Sequence, residues 1–405
     1  MKASTLSYTY DAAGNLASMA SSNANGESVS YTYDSLNRLA TVVDSRLGTT
    51  SYSYDPASNL ATVTYPNSVQ TTFQYDPLNR VTGMSSPIAG YTYQLGPTGN
   101  RASALEQNGR SVTWSYDGVY RLTGESITSA PSKNNGSVSY DLDPVGNRLS
   151  ENSSLPGLPS GSFGYNADDQ LSSESYDADG NVTAADGKAF SYDSENHLVA
   201  MNGGAVQMLY DGDGNRVAKS VSGVVKRYLV DDLNPTGYPQ VVDELNGSGA
   251  VTRTYTYGVQ RISQNQVISN TWTPSFYGYD GMGSVRQLTN SAGAVTDTYE
   301  YDAFGNSFTT SGTTPNNYLY RGEQYDQLAI FPPGEIEMPA FAAGGLTIEK
   351  DESRVGLAIL PDNRGELPAV AKSAILYEVD LLMTIVTVHV LRALSVCESD
   401  DAQRF

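Results

Sequence analysis

Pairs of aromatic residues at positions i and i+2 recur along almost the whole 405-residue chain. Most pairs are followed at once by Asp, then by a turn rich in Gly and Asn, then by a basic or apolar residue. A unit that returns at a fixed period determines the architecture of a chain, and an Asp found in every unit is better explained by the turn than by catalysis. The pairs are Tyr8/Tyr10, Tyr31/Tyr33, Tyr52/Tyr54, Phe73/Tyr75, Tyr91/Tyr93, Trp114/Tyr116, Phe163/Tyr165, Phe190/Tyr192, Tyr255/Tyr257, Tyr277/Tyr279, Tyr299/Tyr301 and Tyr318/Tyr320.

Each repeat has the length of one two-stranded β-hairpin, because the first four Asp residues of the register are 21 to 23 positions apart. Alternate residues of a strand face opposite sides, so Tyr31 and Tyr33 are expected on one face and Ser30 and Thr32 on the other. The aromatic and β-branched composition favours a strand at each pair. Stacked copies are expected to set Tyr against Tyr on neighbouring strands, and the array stabilises hairpins that would be unstable singly.

The turn after each pair has its own sequence signature. Asp34 is expected to end its strand by accepting hydrogen bonds from turn amides. Asn37 lies where a positive φ is expected, a place taken in other repeats by Gly14 or Asn79. The return strand is then expected to begin at Arg38.

The composition argues against several classes of function. A formal net charge of −20 without a basic cluster argues against nucleic-acid binding, which requires Lys and Arg to neutralise phosphates. Cys397 is the only cysteine, which excludes an intrachain disulfide and a Cys-rich zinc site. The longest apolar run, residues 381–396, is interrupted by His389 and Arg392 and does not predict a membrane span. The N-terminus lacks the apolar core of a signal peptide, so we expect either another export route or a fragment of a longer chain.

The repeat in this chain, Tyr-x-Tyr-Asp-x-x-Gly-Asn-Arg-Leu, resembles the YD repeat of bacterial RHS proteins, which also occurs in shell subunits of insecticidal toxin complexes and in teneurins. The most specific matches are residues 143–149 and 210–217. A second block, within residues 227–326, resembles the RHS-associated core region. The resemblance covers roughly residues 5–326. It predicts a YD-repeat array at 1–226, a core-like region at 227–326 and a variable or non-native segment at 327–405.

The resemblance implies an all-β fold in which repeated hairpins form a spiralling sheet or partial hollow shell, with an unrelated C-terminal segment. In the family, that shell encloses the C-terminal part of the same polypeptide or of a partner, often a toxin. The family's core block continues into a closing motif, where acidic residues of many members carry out self-cleavage. Here the chain instead reads Gln327-Leu328-Ala329-Ile330. The self-cleavage residues therefore cannot be assigned to any position.

The segment 327–405 loses the repeat and is open to three interpretations. It is a variable cargo or toxin domain, a plug packed inside the shell, or non-native sequence that follows a frame disruption just beyond Asp326. The abrupt loss of the family pattern inside a motif favours the third. His389 and Cys397 could form a nucleophilic pair, but no Asn or Asp that would orient the histidine is evident.

Single motifs within the array are better explained by structure than by chemistry. Residues 211–215 resemble the start of a calcium loop, but Arg216 and Ser222 stand where that loop needs Gly and Glu. Residues 177–181 fail in the same way, and a turn explains both segments. His197 occupies a place usually held by Arg, which predicts a variant of the repeat. Residues 281–286 lack the third Gly of a dinucleotide-binding loop.

The sequence as a whole predicts a non-enzymatic β-repeat shell of a bacterial secreted or cell-surface protein, which encapsulates or presents a C-terminal effector. We predict no catalytic residue, no metal-binding residue, no cofactor and no membrane span. The expected partner is the chain's own or a neighbouring toxin segment. Two alternatives remain: a carrier of a toxin enzyme at 327–405, and an adhesion module that stacks cell-surface glycans on Trp114 or Trp272. Ordinary packing of these tryptophans is the favoured explanation.

Overall fold

A computed structural model of the protein describes residues 4–326 and the strand at 338–339. Fifteen antiparallel strands, each paired with its neighbours in sequence order, form a first sheet (sheet 1). These strands are β1 Leu6–Tyr10, β2 Leu16–Ser21, β3 Ser28–Tyr33, β4 Leu39–Asp44, β5 Gly48–Tyr54, β6 Leu60–Thr64, β7 Gln70–Tyr75, β8 Val81–Ser85, β9 Gly90–Leu95, β10 Arg101–Glu106, β11 Ser111–Tyr116, β12 Leu122–Thr128, β13 Gly136–Leu142, β14 Arg148–Ser153 and β15 Gly161–Ser162.

Fourteen further strands form a second sheet (sheet 2), again in sequence order. They are β16 Ser175–Tyr176, β17 Val182–Ala185, β18 Lys188–Tyr192, β19 Leu198–Met201, β20 Val206–Tyr210, β21 Arg216–Val221, β22 Val224–Asp231, β23 Gln240–Asn246, β24 Val251–Tyr257, β25 Arg261–Ile268, β26 Thr271–Tyr279, β27 Val285–Thr289, β28 Val295–Tyr301 and β29 Ser307–Ser311. Two short 3-10 turns lie at Asn202–Gly204 and Tyr320–Gly322, and β30 (Tyr325–Asp326) pairs with β31 (Met338–Pro339). No helix of the described residues has the length and apolar character needed to cross a membrane.

The predicted alternation of faces is confirmed in β3. Tyr31 is buried, whereas Ser30 and Thr32 are exposed. On the exposed face the hydroxyl groups of Thr32 and Thr41 lie 2.6 Å apart. The tyrosine face of each hairpin therefore forms the core, and the Ser/Thr face is tied together by hydroxyl contacts.

Two expectations about the aromatic pairs were wrong. Tyr31 lies opposite Val42, not opposite another Tyr. The reason is that each repeat contributes two strands, so equivalent tyrosines are separated by a return strand and lie roughly 10 Å apart. Tyr165 and Tyr318 make only isolated bridges and do not lie in strands, because the first follows the loop where the two sheets part and the second lies in a segment that crosses sheet 2.

The turn that follows most of the pairs is built around an Asp. The backbone N–H groups of Leu36 and Arg38 donate to Oδ1 of Asp34 over 2.8 Å and 3.0 Å, and the Arg38 side chain binds Oδ2 over 2.7 Å. These bonds hold the pKa of Asp34 below its usual value, the backbone bond from Arg38 contributing most. Asn37 has a φ of 59°, as expected. The predicted role of Asp as a turn residue is thus confirmed.

Neighbouring hairpins are joined by the second tyrosine of the pair. Tyr33 donates its hydroxyl to the carbonyl of Leu16 over 3.0 Å, and Tyr54 does the same to Leu39 over 2.9 Å. In each case the acceptor opens the return strand of the preceding hairpin. The bond closes one side of a repeat onto the next, and we call it the tyrosine staple. Six further tyrosines make the equivalent contact: Tyr75, Tyr116, Tyr165, Tyr210, Tyr257 and Tyr279.

The two sheets pack in the manner of a coil. The tyrosine face of sheet 1 meets the opposite, Ser/Thr face of sheet 2: Tyr8 donates to Asp231, and Thr256 contacts Glu27 and Asp44. A β-sandwich would instead pair two core faces. Packing of one face onto the back of the other is what a single sheet produces when it winds over itself. The predicted all-β fold of repeated hairpins is confirmed.

Candidate functional site: a strap across the second sheet

The chain returns over sheet 2 after its last long strand. Residues 313–326, which we call the strap, run across strands β21 to β28 on the tyrosine face of that sheet. Side chains of β24 alternate between two partners, because Thr254 and Thr256 contact sheet 1 while Arg253 and Tyr255 contact the strap or its anchors. Both faces of β24 and β25 are consequently buried. Sheet 1, sheet 2 and the strap form three successive layers.

One carbonyl of the strap is held by three side-chain donors. The carbonyl oxygen of Pro315 accepts from Nη2 of Arg253 over 3.3 Å and from the Nε2 atoms of Gln264 and Gln266 over 3.0 Å each. All three donor residues are buried. Burying polar groups of this size is unfavourable unless they are hydrogen-bonded, so the strap backbone is a required part of this site.

The next two residues of the strap are recognised through their amides. The side-chain oxygen of Asn316 accepts from the hydroxyl of Tyr277 over 3.1 Å, and Nδ2 of Asn317 donates to Oε1 of Glu244 over 2.8 Å. Burial raises the pKa of Glu244, but nearby positive charges, chiefly Arg253, and hydrogen bonds outweigh it and hold that pKa below its usual value. Glu244 is therefore a buried carboxylate held between Arg253 and the strap.

Arg261 anchors the middle of the strap. Its guanidinium carbon lies 3.1 Å from the centre of the Tyr318 ring, and its Nη1 donates to the carbonyl of Gly322 over 3.0 Å. Arg261 is buried, and none of the described carboxylates forms an ion pair with it. Faces of aromatic rings and a backbone carbonyl thus stabilise this charge.

The strap ends on two cations of β21. The carboxylate of Asp326 pairs with Arg216 and, over 2.6 Å, with Nζ of Lys219. Asp326 is only 6% exposed, and although burial raises its pKa, the two cations outweigh this and lower it. The last residue before 327 is therefore fixed on the tyrosine face of sheet 2.

The seam between the sheets contains a second buried cluster. Glu27 is fully buried and lies 2.8 Å from Nη2 of Arg46. The hydroxyl of Thr256 lies 3.1 Å from Oε1 of Glu27 and 2.8 Å from Oδ2 of Asp44. One hydroxyl carries one hydrogen, so it can donate to only one of the two carboxyl groups. Both contacts are satisfied when Glu27 carries a proton, and burial, followed by the charge of Asp44, raises the pKa of Glu27 to about 8.

The residues singled out from the sequence lie elsewhere. In the two segments that resemble calcium loops, Asp177 and Asp211 accept their own turn amides. His197 places Nδ1 3.2 Å from Asp193, as the corresponding Arg does in other turns, so its interpretation as a repeat variant is confirmed. Among the described residues, His, Cys, Asp and Glu form no group of three that could hold a metal ion.

The two tryptophans are on different sheets and both take part in packing. Trp114 of β11 packs against two hydrophobic clusters of sheet 1. Trp272 of β26 lies 5.6 Å below the guanidinium of Arg46. His389 and Cys397 lie outside the described residues.

The repeat array is similar in sequence to known proteins. The family described as Teneurin YD-shell matches residues 1–172. The chain is 32% identical over 209 residues to the tRNA3(Ser)-specific nuclease WapA of Bacillus spizizenii, covering 47% of this chain and 8% of that protein. It is 31% identical over 207 residues to the tRNA nuclease WapA of Bacillus subtilis strain 168, again covering 47% and 8%.

Solved structures share the fold over a longer part of the chain. The TcdB2-TccC3-Cdc42 crystal structure superposes with a TM-score of 0.63 at 18% identity, over 79% of this chain and 19% of that one. The Tc holotoxin pore of Photorhabdus luminescens gives the same TM-score at 19% identity, over 79% and 19%. The chain thus spans a small fraction of the proteins it matches.

The coiled hairpin array, the Asp turns and the tyrosine staples define a β-repeat scaffold protein. The match of residues 1–172 to the YD-shell family and the similarity in fold support an RHS/YD-repeat protein. The side chains that hold the strap, Arg253, Gln264 and Gln266, were not identified from the sequence. Their only signal is that Arg253 and Gln264 stand where the hairpin of β3 and β4 has the apolar residues Val29 and Val42.

Proposed function

We propose that this protein is a non-enzymatic shell that holds its own outgoing chain against its inner face, and so carries or presents a C-terminal effector. The carrying observation is the strap. The strap lies on the tyrosine face of sheet 2, and the tyrosine face of sheet 1 is directed the same way, towards sheet 2. In a coiled sheet this is the side of the axis. Asp326, fixed by Arg216 and Lys219, starts the following segment from that side.

The proposal gives each part of the chain a role. Residues 1–226 form the repeat array. Residues 227–326 form the core-like region, which contains the strap and most of the side chains that bind it. Residues 327–405 are the attached segment, native or not. The side chains that hold the strap, among them Arg253, Gln264 and Arg261, bind the backbone of the chain itself, which suits anchoring better than turnover.

A second candidate is a carrier whose segment 327–405 is a toxin enzyme. It is favoured by the relatives, which are named as tRNA nucleases, and by similarity to a toxin complex. A secreted or cell-surface location is part of this proposal, and its support is the similarity in fold to the Tc holotoxin pore. A glycan-binding role has no such support, since Trp114 and Trp272 are used in packing.

Protease accessibility tests the shell function. One cleavage sequence is inserted directly after Asp326, and a control copy is inserted at Gly109, in the open turn between β10 and β11. Retention inside the coil predicts cleavage after Asp326 at least tenfold slower than at Gly109. Replacing Asp326 by Ala should bring the cleavage rate after position 326 closer to the rate at Gly109. Equal rates at both sites in the unsubstituted chain would refute the proposal.

A further inference from the structure

Three backbone amides donate hydrogen bonds across the contact between sheet 1 and sheet 2. One lies beside β2 and β3 at one end of the contact, one beside β9 in the middle and one beside β12 at the other end. In each, the acceptor is a side chain of the other sheet. The bonds run from Glu27 to Asp243 over 2.8 Å, from Gly281 to Tyr93 over 2.7 Å and from Ala303 to Glu125 over 2.7 Å. Hydrogen exchange of these amides therefore reports on each part of the contact separately.

The first end holds two acidic side chains that face a single hydroxyl group. Glu27 and Asp44 both contact Thr256, which can donate to only one of them. Arg46 pairs with Glu27 over 2.8 Å and donates to Thr254 over 2.9 Å. Once Glu27 ionises, two carboxylates face one guanidinium, so the closed contact is favoured while Glu27 keeps a proton. The titratable and charged groups around Glu27 are Asp44, Arg46 and Tyr31 of sheet 1, the last neutral because burial raises its pKa, and Asp243 of sheet 2.

The other end has an acidic group on each side of the contact. Glu125 of β12 is buried and accepts the amide of Ala303, the residue directly after buried Asp302 in sheet 2. Burial, followed by the charge of Asp302, raises the pKa of Glu125 to about 7. Arg110 opposes this shift, but it is already paired with Glu106. The other titratable groups near Glu125 stay neutral because burial raises their pKa, and they are Tyr116 and Tyr140.

The middle of the contact has balanced charges. Glu106 of sheet 1 pairs with Arg286 of sheet 2 over 2.9 Å, and Arg101 donates to the carbonyl of Gly281. Burial raises the pKa of Glu106, but Arg286 and Arg110 outweigh it and hold that pKa below its usual value. This pair stays ionised whether the contact is closed or open, so pH has little effect on it near neutrality.

We propose that the contact between the sheets is a pH-dependent switch whose two ends loosen as the pH rises while its middle holds. When an end opens, water reaches Glu27 or Glu125, which then ionises at its ordinary pKa of about 4.5. Because both pKa values are higher in the closed contact, closure is fully favoured below about pH 4.5. That advantage is lost as the pH rises to about 7 at the Glu125 end and to about 8 at the Glu27 end, above which it changes no further. The switch does not depend on what the shell carries.

Hydrogen exchange of the three amides in the full chain tests the switch. Protection factors are measured from pH 5 to 8, and division by the intrinsic rate removes the pH dependence of exchange itself. We expect the protection factor of the Glu27 amide to fall about tenfold per pH unit up to about pH 8, and that of Ala303 likewise up to about pH 7. The factor of Gly281 should change by less than about threefold, because opening there releases no proton.

Glu27→Gln and Glu125→Gln are each the matched control for the other. Gln keeps the shape and a hydrogen-bond acceptor but is neutral at every pH. Each change should abolish the pH dependence at its own end and leave a slope of about tenfold per pH unit at the other. The natural chain contains all three amides, so its own pH series decides the question even if a variant fails to fold.

Three results would overturn the proposal. The first is a protection factor at either end that does not change with pH. The second is an equal decline at all three amides, which would assign the effect to unfolding of the whole chain. The third is a variant that keeps the pH dependence at its own end.

Discussion

Glu27, at the seam between the sheets, should make the free energy of unfolding depend on pH. A single substitution of this residue should remove that dependence. Glu27 is buried among Asp44, Arg46 and Thr256, and its own backbone N–H donates to Asp243 over 2.8 Å. Burial, and then Asp44, raises the pKa of Glu27 to about 8, although Arg46 and the threonine hydroxyls act in the opposite direction. Near neutral pH the folded chain therefore keeps a proton that the unfolded chain releases.

The sign and size of the effect follow from linkage. Because the pKa of Glu27 is higher in the folded chain than in an unfolded one, the free energy of unfolding falls as the pH rises from about 4.5 to about 8. Each pH unit in this window costs about 1.4 kcal/mol for one proton, and the whole window amounts to on the order of 5 kcal/mol. Above the folded pKa this contribution stays constant.

Glu27→Gln isolates this contribution, since Gln is neutral at every pH. The two chains are unfolded with denaturant from pH 5 to 9 and followed by far-UV circular dichroism. We expect the unsubstituted chain to lose stability relative to the variant by about 1.4 kcal/mol per pH unit up to about pH 8. Taking the difference between the chains cancels titrations that both share.

Glu106→Gln is the matched control, because Glu106 is also buried but pairs with Arg110 and Arg286. Burial raises the pKa of Glu106, yet the two guanidinium groups outweigh it and hold that pKa below its usual value. This control should lower stability by a constant amount from pH 5 to 9. A constant difference for Glu27→Gln as well would show that Glu27 carries no proton in the folded chain, and would refute the reasoning.

Three further predictions concern the turns, the strap and the attached segment. Asp34→Ala and Asp76→Ala should each lower the melting temperature without changing the fold, as measured by circular dichroism; an unchanged melting temperature would count against the turn assignment. Arg261→Met should cost about 2 to 4 kcal/mol of stability and expose residues 313–326 to limited proteolysis, because Tyr318 and Gly322 lose their common anchor; a strap that stays protected would contradict this. Residues 1–326 alone should fold as they do in the whole chain and be more soluble, because contacts in a repeat array are mostly local; loss of the β spectrum on truncation would show otherwise.

Local features of the fold could be predicted from the sequence because their causes are local. Asp34 and Asn37 act within five residues of one another, and alternation along β3 follows from strand geometry alone. The tyrosine staple could not be predicted in the same way. Its donor, such as Tyr33, recurs visibly, but its acceptor is a backbone carbonyl of the preceding hairpin and has no side-chain signature.

The strap could not be predicted, because its partners are distant along the chain and chemically varied. Pro315 is held by Arg253, Gln264 and Gln266, which lie about 50 to 60 positions earlier. Nothing in the local pattern of β24 or β25 indicates that a carbonyl will meet these side chains. Buried polar groups identify such a site only once the layer that covers them is known.

The layering of the molecule explains why periodicity alone was insufficient. Alternation distinguishes the two faces of a strand, but it does not say what covers the polar face. In β24 the polar face, Thr254 and Thr256, is buried against Glu27, Asp44 and Arg46 of sheet 1. These contacts need carboxyl groups in sheet 1 that a solvent-facing strand would not require. The acidic residues at this seam are therefore the feature of the sequence that reflects the packing of sheet 1 on sheet 2.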